Sequence, residues 1–167
     1  MWASDFLANA CGAQVSGPTQ QFTSVSTDTR TLQTGALYVA LHGGNFDGHR
    51  FVEQAVKAGA TGILASQPVE VSAEITIMQV ADTLVALQQM AHASRLQFDG
   101  PMIAITGSNG KTTTKEMIAA VLRAQYGAEA VLATVGNLNN HIGVPLTLLS
   151  RTPTHKVAVI EMGIDRK

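Results

Sequence analysis

A glycine-rich segment from Thr106 to Thr113, with the sequence Thr-Gly-Ser-Asn-Gly-Lys-Thr-Thr, carries the residue types that bind a triphosphate. Its two glycines allow backbone N–H groups to close around phosphate oxygens. We expect Lys111 to reach the β- and γ-phosphates of ATP and the Thr112 hydroxyl to bind Mg²⁺. The predicted phosphate contacts are Gly107, Ser108, Asn109, Gly110, Lys111, Thr112 and Thr113.

The elements around this segment favour a phosphate site over a simple turn. The apolar run 102–105 predicts a buried parallel strand, and the residues after the loop predict a helix. One face of that helix carries Met117, Ile118, Val121 and Leu122. Ile105 stands where the common P-loop pattern has glycine, so the match is incomplete. A glycine turn that only caps a structural helix is the alternative.

Two further segments follow predicted strands of the same sheet. A loop rich in asparagine and glycine, 136–143, follows the strand predicted over 130–133, and Glu161 directly follows the strand predicted over 156–160. Doubly wound folds bind ligands at the carboxyl ends of their strands, so Glu161 is a candidate to hold Mg²⁺ directly or through water. A structural turn and a solvated glutamate are the respective alternatives.

The first half of the chain contains two polar segments of interest. Residues 27–30 form either a solvated turn, in which Asp28 bonds to nearby amides, or an anion site built from hydroxyls and Arg30. The loop 42–49 contains glycines that permit close approach of a ligand. His42 and His49 flank Asp47 there, but no third ligand has the spacing of a zinc site, so we predict no metal.

The composition indicates an ordinary globular protein. The order of the predicted strands and helices indicates an α/β fold with two domains, 1–82 and 83–167, and Asp82 is expected to cap the long helix at the boundary. A net charge of −1 without a basic run argues against nucleic acid as a partner. Cys11 is the only cysteine, which excludes an intrachain disulfide and a cysteine metal cluster. The first residues do not show a basic n-region followed by an apolar h-region, and no apolar run approaches the roughly 18 residues that span a membrane. We therefore expect a cytoplasmic protein.

Ordered motifs along the chain resemble the Mur ligase family. Residues 106–113, 136–140 and 161–163 resemble motifs of its central domain, and residues 27–30, 37–41 and 45–49 resemble its N-terminal domain. The resemblance implies a small N-terminal α/β nucleotide-sugar-binding domain, followed by the truncated start of a P-loop-type parallel-sheet ATPase domain. Within the family, Gly-Asn-x-Asn-Asn followed by Gly-Val-Pro-Leu favours the branch that adds a dipeptide.

The resemblance implies an ATP-dependent ligase of peptidoglycan precursor synthesis, with ATP and Mg²⁺ as cofactors. ATP would phosphorylate the C-terminal carboxylate of UDP-MurNAc-tripeptide, and the amine of D-Ala-D-Ala would attack the acyl phosphate. Lys111 would be the catalytic residue that stabilises the transferred charge, and Thr112 and Glu161 would hold Mg²⁺. The implied contacts to the muramoyl substrate are Thr27, Thr29, Arg30, Asn45, Phe46, Asp47, Asn140 and His141. A monomer is expected at full length.

The end of the chain departs from the family pattern. The family continues after Gly163 with Ala-Asn or similar residues, whereas the sequence 164–167 ends this chain. We expect the polypeptide by itself to lack ligase activity, measured as ADP release with all three substrates. Three alternatives remain: the diamino-acid-adding branch, a folylpolyglutamate-synthetase-like ligase, and a noncatalytic module that binds UDP-muramoyl peptide. Residues 25–49 argue against the second.

Overall fold

The computed structural model describes residues 1–44 and 46–163, and the chain divides into two compact units, Met1–Met90 and Ala91–Lys167. The division falls within a long helix, α3 (Thr83–Leu96). The predicted functional domains, with a boundary near residue 82, remain a prediction. No helix within residues 1–44 and 46–163 combines the length and the apolar character needed to cross a bilayer.

A five-stranded sheet forms the centre of the first unit. The strands of this unit are β1 (Trp2–Ala3), β2 (Gln14–Ser16), β3 (Gln21–Phe22), β4 (Val25–Ser26), β5 (Leu37–Val39), β6 (His42–Gly43), β7 (Phe46–Asp47), β8 (Gly62–Ala65) and β9 (Thr76–Gln79). The helices are α1 (Ser4–Cys11), a 3₁₀ turn (Gly48–Phe51), α2 (Val52–Lys57) and the start of α3 (Thr83–Leu96). The sheet order is β2-β9-β8-β5-β4, in which only β2 is antiparallel to its neighbour.

Apolar side chains of the parallel strands and of α2 form the core of this unit. The buried cluster consists of Tyr38, Ala40, Val52, Ala55, Ala60, Ile63, Ala65 and Ile75. Asp82 caps the first turn of α3 as the sequence predicts, because its Oδ1 accepts hydrogen bonds from the N–H groups of Leu84 and Val85 at 2.8 and 3.0 Å. The Thr83 hydroxyl donates to the Ala40 carbonyl at 3.0 Å and ties the first turn of α3 to the end of β5.

A three-stranded parallel sheet with the order β10-β12-β11 forms the second unit. Besides the end of α3, its elements are β10 (Met102–Ile105), α4 (Lys111–Tyr126), a 3₁₀ turn (Ala128–Ala130), β11 (Val131–Ala133), α5 (Gly143–Leu149) and β12 (Val157–Glu161). Every residue of β12 is buried because β12 is the central strand and its valines and isoleucine pack on both faces. Parallel strands need crossover connections, which α4 and α5 provide. The prediction of an α/β fold with parallel sheets is confirmed.

The second unit differs from the sequence-based expectation in two ways, and the predicted burial of the strand 102–105 is wrong. β10 is half-buried and exposes Ala104, because within the described residues it pairs only with β12. In α4, Met117 and Val121 are exposed, at 66% and 69% of their surface. The helix instead buries Lys115 and Ala119 against the sheet. The spacing of hydrophobic residues predicts the helix, but the face that is buried depends on how the helix packs against the sheet.

The carboxyl ends of β10, β11 and β12 lie at one edge of the sheet, because the three strands are parallel. The phosphate-type loop 106–110 leaves β10 there, and the segment 134–142 leaves β11. Glu161 is the last residue of β12 at this edge. The topology therefore brings together segments that are up to 55 residues apart in the sequence numbering.

Candidate functional site

The loop between β10 and α4 is shaped by two glycines. Gly107 and Gly110 have φ angles of +143° and +74°, a region that disfavours residues with a Cβ atom. Gly110 directly precedes α4, so the free N–H groups at the start of that helix face the loop. Lys111 Nζ donates to the Gly107 carbonyl at 2.7 Å, which holds the ammonium group across the mouth of the loop. The geometry is suited to an anion.

Glu161 connects this loop to the end of β12. Its side chain is 1% exposed, and its Oε1 accepts hydrogen bonds from Thr112 Oγ1 at 3.1 Å and Asn139 Nδ2 at 2.8 Å. Its other oxygen, Oε2, is buried and has no hydrogen-bond partner in the described part of the chain. A buried carboxylate oxygen without a partner is costly unless something else binds it.

The cation that fits this arrangement is a hard one with few protein ligands. Glu161 offers a carboxylate oxygen and Thr112 a hydroxyl, which are donors that Mg²⁺ prefers. Among the described residues, no three His, Cys, Asp or Glu side chains group as a metal site. The donor set therefore fits Mg²⁺ that takes its remaining ligands from water and phosphate rather than a zinc or calcium centre.

An open cavity of about 330 Å³ lies at the same edge. Its lining residues are Ser108, Asn109, Gly110, Lys111, Thr112, Thr113, Asn139 and Glu161. The structure thus brings the predicted phosphate contacts from Ser108 to Thr113 together with the predicted metal ligand Glu161. It also adds Asn139, which the sequence-based interpretation missed although this asparagine lies in the Gly-Asn-Leu-Asn-Asn motif.

The two neighbouring residues in that motif have other surroundings. Asn140 Oδ1 accepts hydrogen bonds from the N–H groups of Ile142 and Gly143, at 3.1 and 2.8 Å, at the start of α5. The His141 side chain is exposed. Neither residue lines the cavity at the phosphate-type loop. Their predicted contacts to the muramoyl end of a substrate stay predictions.

In the first unit, the segment 27–30 is a turn held by an ion pair. Asp28 Oδ1 accepts from the backbone N–H of Arg30 at 2.9 Å, and Asp28 Oδ2 pairs with Arg30 Nη2 at 2.6 Å. Hydrogen bonds from Arg30 lower the pKa of Asp28 to about 2. Thr27 and Thr29 are half-buried, whereas the Arg30 side chain is 82% exposed. The turn thus presents an exposed guanidinium group, which keeps both the turn and the anion-site interpretations open.

The loop after β5 carries the other predicted nucleotide-sugar contacts. Asn45 lies outside the described residues. Phe46 is 51% exposed and stacks on Phe51, with ring centroids 5.8 Å apart. Asp47 Oδ1 pairs with His49 Nδ1 at 2.7 Å, and His49 Nε2 accepts the backbone N–H of Ser66 at 3.0 Å. Both ring nitrogens of His49 therefore hold the loop against the end of β8.

The turn 27–30 and the loop 42–49 lie at the same end of the sheet because β4 and β5 are parallel, and Tyr38 fixes the loop to β5. The buried Tyr38 hydroxyl donates to the Gly48 carbonyl at 3.1 Å. Burial, followed by the charges of Asp28 and Asp47, raises the pKa of Tyr38 to about 12. A Cβ atom on Gly48 would lie 2.7 Å from the Leu41 carbonyl oxygen and 2.8 Å from the Leu41 nitrogen, so this position requires glycine.

Asp47 is expected to make the stability of the first unit dependent on pH. Hydrogen bonds from the His49 side chain and backbone lower the pKa of Asp47. A carboxyl whose pKa is lowered by folding stabilises the fold above its unfolded pKa of about 4, and this contribution is lost as the pH falls through the folded value. Asp47→Asn should therefore be less stable than the wild type at pH 7, with a difference that shrinks towards pH 3.

Urea unfolding at the two pH values measures this difference. Trp2, the only tryptophan, is buried in the first unit, so its fluorescence reports that unit. The exposed Glu70→Gln is a matched control in the same unit and should show a smaller effect. An equal loss of stability in Asp47→Asn at both pH values would show that the ionised carboxylate contributes nothing.

Comparison with known proteins identifies the family. Residues 21–97 match the Mur ligase family catalytic domain, and residues 105–167 match the Mur ligase middle domain. The UDP-N-acetylmuramoyl-tripeptide–D-alanyl-D-alanine ligase of Synechocystis sp. is 50% identical over 143 residues, covering 84% of this chain and 31% of the relative. The Escherichia coli ligase of the same name is 42% identical over 161 residues, covering 96% and 34%.

Solved structures agree with these relatives. A crystal structure of MurF from Acinetobacter baumannii superposes with a TM-score of 0.86 at 37% identity, covering 98% of this chain and 36% of that chain. MurF from Thermotoga maritima in complex with ADP gives a TM-score of 0.71 at 31% identity, covering 86% and 32%. The chain spans about a third of the length of the curated relatives it matches. The two domain matches follow one another along the chain, and the relatives and solved structures extend across both matched regions. The chain therefore belongs to the Mur ligase family.

Proposed function

We propose that this chain supplies the ATP-phosphate site and the nucleotide-sugar unit of an ATP-dependent ligase of peptidoglycan precursor synthesis. The ligase joins D-Ala-D-Ala to UDP-MurNAc-tripeptide, the reaction that the names of the relatives describe. The observation that carries the proposal is the buried Glu161 carboxylate beside the glycine loop. One of its oxygens is held by Thr112 and Asn139, and the other has no hydrogen-bond partner among the described residues.

The proposed reaction requires activation of a poor electrophile. The γ-phosphoryl group passes from ATP to the carboxylate of the tripeptide and ADP leaves, after which the amine of D-Ala-D-Ala displaces phosphate and forms the amide. In this proposal Lys111 leaves the Gly107 carbonyl and binds the phosphate oxygens that gain charge during transfer. Thr112 and Glu161 hold Mg²⁺. The metal neutralises phosphate charge when bound.

The first unit would bind the nucleotide-sugar part of the substrate. The exposed Arg30 guanidinium supplies a cation for pyrophosphate, with the Thr27 and Thr29 hydroxyls beside it in the same turn. Phe46 and Asp47 follow on the loop after β5, and Asn45 belongs to the same proposed set. Asn140 and His141 are proposed to contact the muramoyl end. A cytoplasmic location and a monomeric state at full length belong to this proposal.

Isothermal titration calorimetry on the 167-residue chain tests the proposal. We expect the chain to bind a nonhydrolysable ATP analogue more tightly with Mg²⁺ than with EDTA, and to bind UDP-MurNAc-tripeptide in a separate titration. Binding of the UDP-sugar without any binding of the nucleotide would favour the noncatalytic module. If the chain bound neither the nucleotide nor the UDP-sugar, the proposed function would be overturned.

A further inference from the structure

Lys115 is a buried lysine one helical turn after Lys111. Its side chain is 1% exposed, and its Nζ donates to the Thr134 carbonyl at 2.7 Å and pairs with Glu116 Oε1 at 2.6 Å. Lysine is almost never this buried unless it is paired. The hydrogen bond from Lys115 lowers the pKa of Glu116, which is 57% exposed. The ammonium group is thus directed inwards at one carbonyl and balanced by a carboxylate at the surface.

The carbonyl that Lys115 binds is one that the sheet would otherwise use. In a parallel ladder a residue donates its N–H to one residue of the neighbouring strand and accepts from the residue two positions further along. Thr134 N donates to the Val159 carbonyl at 3.1 Å, so the regular continuation is a bond from Glu161 N to the Thr134 carbonyl. Glu161 N instead donates to the Thr134 hydroxyl at 2.9 Å.

Lys115 and the Thr134 hydroxyl therefore replace one backbone hydrogen bond between β12 and the end of β11. The hydroxyl satisfies the backbone N–H of Glu161, and the ammonium satisfies the carbonyl that has left the sheet. The Glu161 N–H and the Thr134 carbonyl thus both keep a hydrogen-bond partner, as buried backbone groups require where a strand ends inside a protein. The chain is released from β11 at this residue.

The released segment returns to the phosphate-type loop. Asn139, five residues after Thr134, donates its side-chain N–H to Glu161 Oε1 at 2.8 Å. Its backbone carbonyl accepts the Gly163 N–H at 2.6 Å. The path of residues 135–139 thus begins at the contact with Lys115 and ends at the carboxylate proposed to hold Mg²⁺.

We propose that Lys115 is a positioning residue for the nucleotide site: by drawing the Thr134 carbonyl out of the sheet, it directs residues 135–139 to Glu161 and orients that carboxylate towards the metal of Mg-ATP. The inference rests on the proposed function. Lys115 lies on the buried face of α4 and is absent from the cavity lining, so it acts through Thr134 and Glu161 rather than on the nucleotide.

A lysine close to a triphosphate site could also act by charge alone, and the two roles give opposite results. ATP without Mg²⁺ carries more negative charge than Mg-ATP, so loss of a distant attracting charge weakens the metal-free nucleotide more. Loss of positioning at Glu161 weakens Mg-ATP more, because only that ligand uses the carboxylate. The ratio of the two dissociation constants therefore separates the two roles.

The test measures binding of a nonhydrolysable ATP analogue, with Mg²⁺ and with EDTA, to the wild-type chain and to Lys115→Met. Methionine keeps the apolar stem and removes the ammonium group. We expect the gain in affinity from Mg²⁺ to fall at least about tenfold, in the range seen when groups behind a metal ligand are removed. Affinity in EDTA should change by less than about threefold. Lys57→Met, an exposed lysine of α2 paired with Glu53, is the matched control and should leave both values unchanged.

A second pair of variants tests the same path without changing charge. Thr134→Val removes the hydroxyl that accepts the Glu161 N–H and should reduce the Mg²⁺ gain, whereas Thr134→Ser keeps that hydroxyl and should retain the gain. In the free protein, the amides of residues 135–140 should exchange with solvent faster in Lys115→Met than in the wild type.

The outcomes separate this inference from the proposed function. A wild-type chain that binds no nucleotide would overturn both. If Mg²⁺ increases nucleotide affinity in Lys115→Met and Thr134→Val as much as in the wild type, only the positioning role is overturned. A larger loss of affinity in EDTA than in Mg²⁺ would also overturn that role alone. If Lys115→Met does not fold, the comparison of Thr134→Val with Thr134→Ser decides the question.

Discussion

Lys111→Ala is expected to weaken binding of a nonhydrolysable Mg-ATP analogue to this chain by about 100-fold, or ~2.7 kcal/mol. The ammonium group already lies across the loop, 2.7 Å from the Gly107 carbonyl, so little rearrangement is needed for it to meet phosphate oxygens. Charge-assisted hydrogen bonds are about twice as strong as neutral ones. Alanine removes the charge and its donors while leaving the backbone of the loop in place.

Two further variants make this result specific. Lys57→Ala, on an exposed helix face of the first unit, removes the same charge at a different place and should not change nucleotide binding. Lys111→Arg retains the charge with a longer, planar head group and should give an intermediate affinity. Calorimetric titrations of the three variants provide the comparison. If Lys111→Ala bound the Mg-ATP analogue as tightly as the wild type, the proposed role of Lys111 in binding phosphate would be contradicted.

Glu161→Gln is expected to abolish most of the gain in nucleotide affinity from Mg²⁺, a loss of about 100-fold, at the upper end of effects at metal sites. Glutamine retains an oxygen that can accept from Thr112 and Asn139, the two donors that now bind Oε1. It replaces the unpartnered Oε2 with an amide NH₂, which is a donor and cannot bind a cation. The substitution thus changes the proposed metal ligand and preserves the surrounding hydrogen bonds.

The affinity of Glu161→Gln for the nucleotide in EDTA provides a second test. Removing a negative charge beside a triphosphate should leave binding in EDTA unchanged or slightly stronger, while binding in Mg²⁺ becomes weaker. Glu129→Gln, an exposed carboxylate of the second unit, is the control and should behave like the wild type. If Glu161→Gln lost affinity equally in EDTA and in Mg²⁺, the carboxylate would have a structural role and another group would hold the metal.

Local patterns were sufficient for the phosphate-type loop. Glycines, a lysine and a threonine within eight residues, between an apolar strand and a helix, were enough to predict a glycine-shaped loop that ends at the start of a helix. The position of Glu161 followed from the same reasoning, because parallel strands present their carboxyl ends at one edge of a sheet. Both predictions needed only contacts between residues that are close in sequence or aligned by topology.

Residues outside such patterns were harder to find. Asn139 and Asn140 are adjacent asparagines, and nothing in the sequence distinguishes the one that binds Glu161 from the one at the start of α5. Tyr38 belongs to an apolar strand, yet its hydroxyl reaches the Gly48 carbonyl. A lysine at the start of an amphipathic helix predicts a solvated side chain, so the burial of Lys115 had no advance signal beyond its spacing to Ala119.

The sequence by itself determined the α/β class, the phosphate-type loop and its family resemblance, because these depend on residue types at short, regular spacings. Only the tertiary structure decided which face of α4 is buried, where β11 ends and which asparagine meets Glu161. The reason is physical. Those features depend on how hydrogen-bonding groups far apart in the chain are satisfied together, as when Lys115, Thr134 and Glu161 replace one bond of the sheet.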